Sequence, residues 1–413
     1  MAAGPVPLKR QSSAERINSG VSHSKIHRFS GEIPYFPDEL IIKTATCVSD
    51  LTDVRRSAYC LTPLQVTSCN AAVPEDAFSF SNASCSVRPI EPMHVFGSIF
   101  GKGVHLLLNY LDERLLPENN KERHVLGKLL NYLVDTDSHA ALEKVQNFSE
   151  AEQTICLVNH LFVKLAASPN FTVNKHSRRK QSTACPCGNG DCTLQGQYGD
   201  TSIGHEDVWH GSVAIIINTD VVLEPVEVSD YPESPDGEIP QESDLCGLES
   251  NPKIIAETIV FSFLKKQLHS ESDHFLFPCV GAGGSELVFY FYDSENDVLL
   301  ESSRVPLFIG RSNHQQTLNF SAVIACWLVV NYKYLCTGLT RGMLVPNKKA
   351  AFFSHAYLKL PIYTSKLKLG NVGSSKCSKK LCSSVDTSDE IILEAKQKIF
   401  KIQQKNIGRF AII

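Results

Sequence analysis

The chain has 413 residues, a formal net charge of −4, and 43% hydrophobic against 20% charged residues. That balance suits a globular protein with a large core, as one large domain or two smaller ones, and excludes coating a polyanion by bulk charge. Any nucleic-acid contact therefore needs a local basic patch.

Residues 1–30 are rich in Ser, Gly, Pro and charge and read as a disordered tail. They lack the apolar core of a signal peptide. Residues 31–95 hold short apolar runs broken by Pro, Ser and Asn, which predict loops and short strands. The pattern turns helical from about 96 to 167: "VHLLLNYLDERLL" and "ERHVLGKLLNYLV" carry apolar residues at three- and four-residue spacing. In "SEAEQTICLVNHLFVKLAAS", Ser149 is a candidate N-cap and Glu152 completes a capping box. Leu157, Val158, Leu161, Phe162 and Leu165 then share one face.

A basic stretch, Asn174 to Gln181, precedes the cysteine cluster "CPCGNGDC". Next, "VWHGSVAIII" and "VVLEPVEV" predict a hairpin around the turn residues Asn218-Thr219-Asp220. Simple alternation puts Val213, Ile215 and Ile217 on one face, and Ser212, Ala214 and Ile216 on the other. Pro225 cannot donate to a ladder, so the second strand is at an edge, bulged, or interrupted there. Residues 229–251 carry seven acidic residues and no basic one, and read as a flexible acidic loop. Asn251-Pro252 starts a helix, with an N-cap and proline at N1. In "KIIAETIVFSFLKKQLH", Ile255, Ile259 and Phe263 align, as do Val260, Leu264 and Leu268. "HFLFPCV", "ELVFYFYD" and "NDVLLES" predict three strands, the first two joined by "GAGG". "LNFSAVIACWLVVNYKYLC" predicts a buried helix. Its most apolar run, Ala322 to Val330, is far too short to span a bilayer. A Lys/Ser/Cys-rich linker around 366–384 leads to a predicted C-terminal helix, "DEIILEAKQKIFKIQQK". The expectation is an intracellular protein, cytoplasmic or nuclear, with no membrane contact and with mostly free thiols among its fourteen cysteines.

The central order of helix, two strands, helix, two strands and helix predicts an α/β (α+β) fold, a mixed sheet flanked by helices. With "VWHGSVAIII" and "VVLEPVEV" at its centre, it resembles the PD-(D/E)XK nuclease superfamily over roughly residues 140–340, and a group of uncharacterised nuclease-like animal proteins. The resemblance implies a restriction-endonuclease-like core in residues 136–345. An N-terminal helical or irregular region (31–135) and a C-terminal extension (346–413) would flank it. It also implies a site in which an Asp and a Glu-x-Lys word hold Mg²⁺, which activates water and neutralises charge at the phosphate. In this sequence the word expected as Gly-Ser-Val-Asp-Ile-Ile reads Gly211-Ser212-Val213-Ala214-Ile215-Ile216. The Glu-x-Lys word falls on Glu224-Pro225-Val226, which keeps the glutamate and lacks the lysine. Two readings follow: a nuclease-like protein with a degraded metal site and a binding or regulatory role, or an active Mg²⁺-dependent nuclease with rearranged ligands.

In the active reading Glu224 is the surviving ligand, Glu152 and Asp207 are co-ligands, and Lys265 or Lys253 supplies the cation. Glu224 is otherwise a solvent-facing strand carboxylate, and the capping box alone accounts for Glu152. His210 of Trp209-His210-Gly211 is a candidate groove residue beside its plain packing role. Arg178, Arg179 and Lys180 form a short basic cluster suited to a phosphate backbone, or simply a solvated loop. His176, Cys185, Cys187 and Cys192 offer four zinc ligands, although C-x-C-x4-C is not the paired C-x2-C spacing of a zinc ribbon. Mg²⁺ and Zn²⁺ are thus the candidate cofactors, and nucleic acid or a protein the candidate partners. Gly281–Gly284 is a hairpin turn without a following helix, and Asp293–Asp297 a turn without the glycine and glutamate of a calcium loop.

Overall fold

The computed structural model describes residues 35–54, 59–73, 78–143, 148–177, 182–225, 251–283, 285–310 and 317–372. The predicted N-terminal tail, the acidic loop up to residue 250, Arg178-Arg179-Lys180 and the predicted C-terminal helix lie outside the described residues.

Where short strands and loops are expected, the chain forms helix α1 (Asp38–Thr52) and the ten-residue strand β1 (Cys60–Cys69). Thr44, Cys47, Val48 and Leu51 are its buried face, a true helical spacing. Strands β2 (Cys85–Pro89) and β3 (His94–Val95) pair with β1. Helices α2 (Gly101–Glu113), α3 (Asn120–Val134) and α4 (Thr136–Glu143) follow. Helix α5 (Glu150–Leu157) begins at the predicted Ser149/Glu152 capping box. It continues through a π turn (Val158–Phe162) into the short α6 (Val163–Leu165).

Strands β4 (Phe171–Asn174), β8 (Ile215–Ile217) and β9 (Val221–Pro225) form an antiparallel meander. Helix α7 (Pro252–Leu268) then leads to β10 (Leu276–Gly283), which lies parallel to β9. Strands β11 (Glu286–Asp293) and β12 (Val298–Ser302) continue the sheet out to β1. Its path is β2-β1-β12-β11-β10-β9-β8-β4-β5, with β5 at Gln197–Gly199 and β13 (Val305–Pro306) pairing beside β11. Strands β6 (Ser202–Gly204), β7 (His210–Ser212) and β16 (Lys368–Leu369) form a separate small sheet, and β14 (Phe308–Ile309) pairs with β15 (Thr317–Leu318). Helix α8 (Phe320–Val330) is buried along its whole length, and α9 (Tyr332–Leu335), α10 (Phe352–His355) and α11 (Leu360–Ser365) complete the described helices.

The main sheet has a hydrophobic layer on each face. In β11, Leu287, Phe289 and Phe291 join α1, α2, α3, α5 and α8, whereas Val288, Tyr290 and Tyr292 join α7, α10 and α11. Covering both faces explains why these strands read as nearly continuous apolar runs. It also explains α7, which is buried almost all round from Ile254 to Lys265.

Three details depart from the predicted pattern. The expected first strand of the hairpin is broken: β7 belongs to the small sheet and β8 to the main one. Val213 consequently packs with Ile216 and Val222, not with Ile215 and Ile217. Strand β9 is not an edge strand, because β8 and β10 flank it; Pro225 stands at its end, where pairing to β8 has stopped. Gly281, Ala282 and Gly283 continue β10 and are not its turn. The turn at Asn218-Thr219 has φ of 50° and 63°, positive at both central residues as in a type I′ turn, and Asp220 N–H closes it on Ile217 O at 2.8 Å; Ile217 pairs with Val221, so three residues join the strands. Among the described residues, no helix is long and apolar enough to cross a membrane.

Candidate functional site

Glu224 is the fourth residue of β9 and faces α7. The chain crossing between the two sheets at Val213-Ala214 brings a backbone N–H to it: Ala214 N–H donates to Oε1 of Glu224. The other oxygen, Oε2, accepts from Lys253 Nζ at 3.0 Å. One turn along α7, Oε1 of Glu257 is 3.8 Å from the same ammonium. The Glu224 and Glu257 side chains are 1% and 0% exposed, that of Lys253 39%. Among the described residues, neither oxygen of Glu257 has a hydrogen-bond partner within ordinary reach.

Burial pushes the Glu257 carboxyl well above its usual range, and the nearby Glu224 charge pushes it further. Burial also raises Glu224, with Lys253 opposing. Lys253 is held above its ordinary value: burial lowers it, but the charges of Glu257 and Glu224 outweigh burial. The group is thus two buried carboxyls, both raised by burial and Glu257 the more strongly, with the Lys253 ammonium opposing that rise.

The raised Glu257 pKa carries a testable sign. An acid whose folded pKa is raised contributes stability that is complete below its unfolded value of 4.5 and is lost as pH rises through the folded pKa. Glu257→Gln mimics the protonated acid and removes that loss. The variant should match the parent near pH 5 and exceed it by about 1 kcal/mol or more at pH 9 in urea unfolding. An unchanged pH profile would mean that Glu257 does not titrate in this range.

Above Glu224 lies a cavity of about 780 Å³, whose walls include Glu152, Asn174, His176, Ser212 and Lys253. Glu152 reaches this cavity while capping α5, with Ser149 Oγ 2.8 Å from its Oε2. The other predicted residues lie elsewhere. Asp207 is exposed in the β6–β7 loop, its Oδ2 3.6 Å from His205 Nδ1. His210 turns back on its own loop, Nδ1 2.8 Å from Val208 O. Trp209 is fully buried and donates to Asn70 Oδ1 at 2.8 Å, which makes it a packing residue. Lys265 is committed to Asp220 at the opposite end of β9, Nζ to Oδ1 2.8 Å. Of the two helix lysines considered from the sequence, it is Lys253 that meets Glu224. The sequence signal for Glu257 is a carboxylate at i+4 from Lys253, inside the apolar run Ile254 to Leu264.

A second constellation lies on the other face of the sheet. His160, Cys185, Cys187 and Cys192 bring their ligand atoms within 4.8 Å of one another and could hold a metal ion. The histidine is His160, not the predicted His176, which lines the Glu224 cavity. His160 Nε2 is 3.3 Å from Cys185 Sγ and 3.6 Å from Cys192 Sγ. The π turn that carries His160 also carries Asn159, whose Oδ1 accepts from Gln195 N–H at 3.0 Å and whose Nδ2 donates to Thr193 O at 3.3 Å. The adjacent Cys156 thiol, against burial and together with His160, draws Cys185 down to about 3. Burial pushes Cys192 up to about 12. Gly188, at φ 79°, supplies the left-handed residue that lets the chain turn between Cys187 and Cys192.

No family model, no curated protein and no solved structure matches this chain.

Proposed function

We propose that this chain is a nuclease-like scaffold that binds or regulates and does not cut, with the ammonium of Lys253 in the place of the divalent cation. The observation that carries the reading is the closed shell around Glu224: one oxygen takes the Ala214 N–H and the other takes Lys253. Mg²⁺ demands near-octahedral oxygen ligation at about 2.1 Å, and Ala214 supplies a methyl where a second strand carboxylate would stand. The order helix, three-strand meander, crossover helix and parallel strand in α5, β4, β8, β9, α7 and β10 supports a restriction-endonuclease-like core. Nucleic acid is the ligand class we favour over protein. Lys253 and His176 line the cavity, and its wall at Ser177 continues in sequence into Arg178-Arg179-Lys180.

One observation favours the second reading, an active Mg²⁺-dependent nuclease: Glu257 gives Glu224 a second buried carboxylate that Lys253 could uncover by swinging outward. Calorimetric titration with Mn²⁺ and Mg²⁺, beside a Glu224→Ala control, separates the two. No saturable binding at millimolar metal, together with intact end-labelled DNA and RNA, is the expected result. Saturable binding lost in the control, with cleavage, would replace the first reading by the second. Anisotropy on labelled single strands should give binding that weakens with salt, and less steeply after Arg178, Arg179 and Lys180 are changed to Ala.

For the His160 cluster the ion proposed is zinc. Three thiols and one imidazole are its preferred donors, and four protein ligands make a closed tetrahedral site. With Zn–S about 2.3 Å and Zn–N about 2.0 Å, an S···N edge of the tetrahedron is about 3.5 Å, close to the 3.3 and 3.6 Å observed.

A further inference from the structure

Resting on the assignment of zinc, we infer that the ion is a structural staple whose occupancy decides whether the edge strand β5 stays on the sheet. Residues 182–196 contain neither a helix nor a strand of the main sheet. Their internal order is a β-bridge between Ala184 and Thr193 and a few backbone bonds, among them Cys185 N–H to Cys192 O and Cys192 N–H to Asn189 O, both 3.0 Å. What this loop gives the core is Cys185 and Cys187, with Cys192 and Leu194 packed against it. Three of those four residues are the proposed ligands, so the ion and the burial of the loop are one event. The fourth ligand, His160, comes from the helix behind, and the π turn aims both His160 and Asn159 at the loop. Single π turns inserted in a helix recur at functional sites.

The loop delivers the chain directly into β5. This strand has three residues and, among the described residues, pairs only with β4: Thr172 with Gln197, Val173 with Tyr198 and Asn174 with Gly199, in parallel. So short a parallel edge strand has little stability of its own. Its approach is tight, since a Cβ on Gly196 would stand 2.4 Å from the Phe171 ring. With four protein ligands the centre has no open position for substrate, which is the mark of a structural and not a catalytic zinc. Cys156 is buried in the same core as Cys185 and Cys187 and stands outside the ligand set. Loss of the ion releases residues 182–199, and β4 then presents unpaired N–H and C=O groups at the sheet edge, where another strand can add.

The experiment uses the protein as purified, without chelator. Elemental analysis should find one zinc per chain, and exchange for Co²⁺ should give the visible absorption of tetrahedral thiolate cobalt. Hydrogen exchange is then compared before and after zinc removal by a strong chelator. Amides of residues 184–199 and of β4 should exchange at least tenfold faster, while those of α7, β10 and β11 keep their protection. Cys187→Ser and His160→Asn should bind no zinc, and Cys156→Ala should retain it. Should the ligand variants fail to fold, the chelator comparison on the native chain still decides. Zinc bound, with unchanged exchange after its removal, would overturn the staple and leave the assignment of zinc standing. Neither zinc nor cobalt binding would overturn the assignment itself.

Discussion

Lys253→Met is expected to lower stability at neutral pH by about 3 kcal/mol and to let Mn²⁺ bind at Glu224 and Glu257. Removing one partner of a buried ion pair typically costs about 3–5 kcal/mol, because the other charge stays buried without compensation. The lower end applies here, since the Lys253 side chain is 39% exposed and partly screened by solvent. Methionine keeps the unbranched stem, so lost packing contributes little. The pH dependence follows from Glu224 and Glu257, both already raised by burial; without the ammonium each rises further. Raised acids contribute their stability in full below the unfolded value of 4.5 and lose it as pH climbs through the folded pKa. The variant therefore lies closest to the parent in acid and falls away toward neutrality. A cation that binds only the folded state reverses the loss: at a hundred times its dissociation constant it contributes about 2.7 kcal/mol. Urea unfolding with and without millimolar Mn²⁺ reads both effects. A variant as stable as the parent at pH 7 would show that Lys253 does not neutralise the pair. Equal Mn²⁺ stabilisation of parent and variant would show that it does not stand in for a metal.

Much of the fold follows from local pattern, and the parts that do not have definite physical causes. Helices α2, α3, α5, α7 and α8 and strands β9 to β12 announce themselves through periodicity and flanking turn chemistry. Helix α1 was legible in principle, from Thr44, Cys47, Val48 and Leu51, but its many β-branched residues imitate strand. The break at Val213-Ala214 could not be read, because alternation runs on through a change of sheet and inverts only when tertiary pairing is known. That break is what aims the Ala214 N–H at Glu224. The cysteine loop was visible, but its histidine is far upstream on a helix face otherwise made of Leu157, Val158, Leu161 and Phe162. A polar pair, Asn159-His160, inside an apolar run was the available signal, and a straight α-helix would not present both side chains to one loop. Glu257 carried the same kind of signal, a charge on an apolar helix that only burial explains.

Asp220→Ala should destabilise the chain by about 3–5 kcal/mol, and Lys265→Met in the same background should recover most of that loss. Asp220 ends the type I′ turn between β8 and β9, and its Oδ1 receives two ammonium groups, Lys265 Nζ at 2.8 Å and Lys333 Nζ at 2.7 Å. The Lys265 side chain is 3% exposed, so the alanine variant leaves a buried cation whose remaining polar partners among the described residues are Thr219 O at 3.1 Å and His269 Nε2 at 3.2 Å. Cutting one member of such a pair costs far more than removing both, and for that reason the double variant is the informative one. Burial already lowers the Lys265 pKa, with Asp220 opposing it; without Asp220 it falls further. A base with a depressed folded pKa regains stability as pH rises toward its unfolded value of 10.5, so the defect should shrink in alkali. This behaviour also separates a turn-locking role from the catalytic one that the sequence allowed Lys265. Glu224 lies four residues along β9, about 13 Å at strand rise, and is out of reach of that ammonium. Were Asp220→Ala to leave stability intact but abolish ligand binding at the Glu224 cavity, Lys265 would belong to the site after all. Loss of stability, restored by Lys265→Met, identifies the pair as the clamp that fixes the β8–β9 hairpin and thereby the position of Glu224.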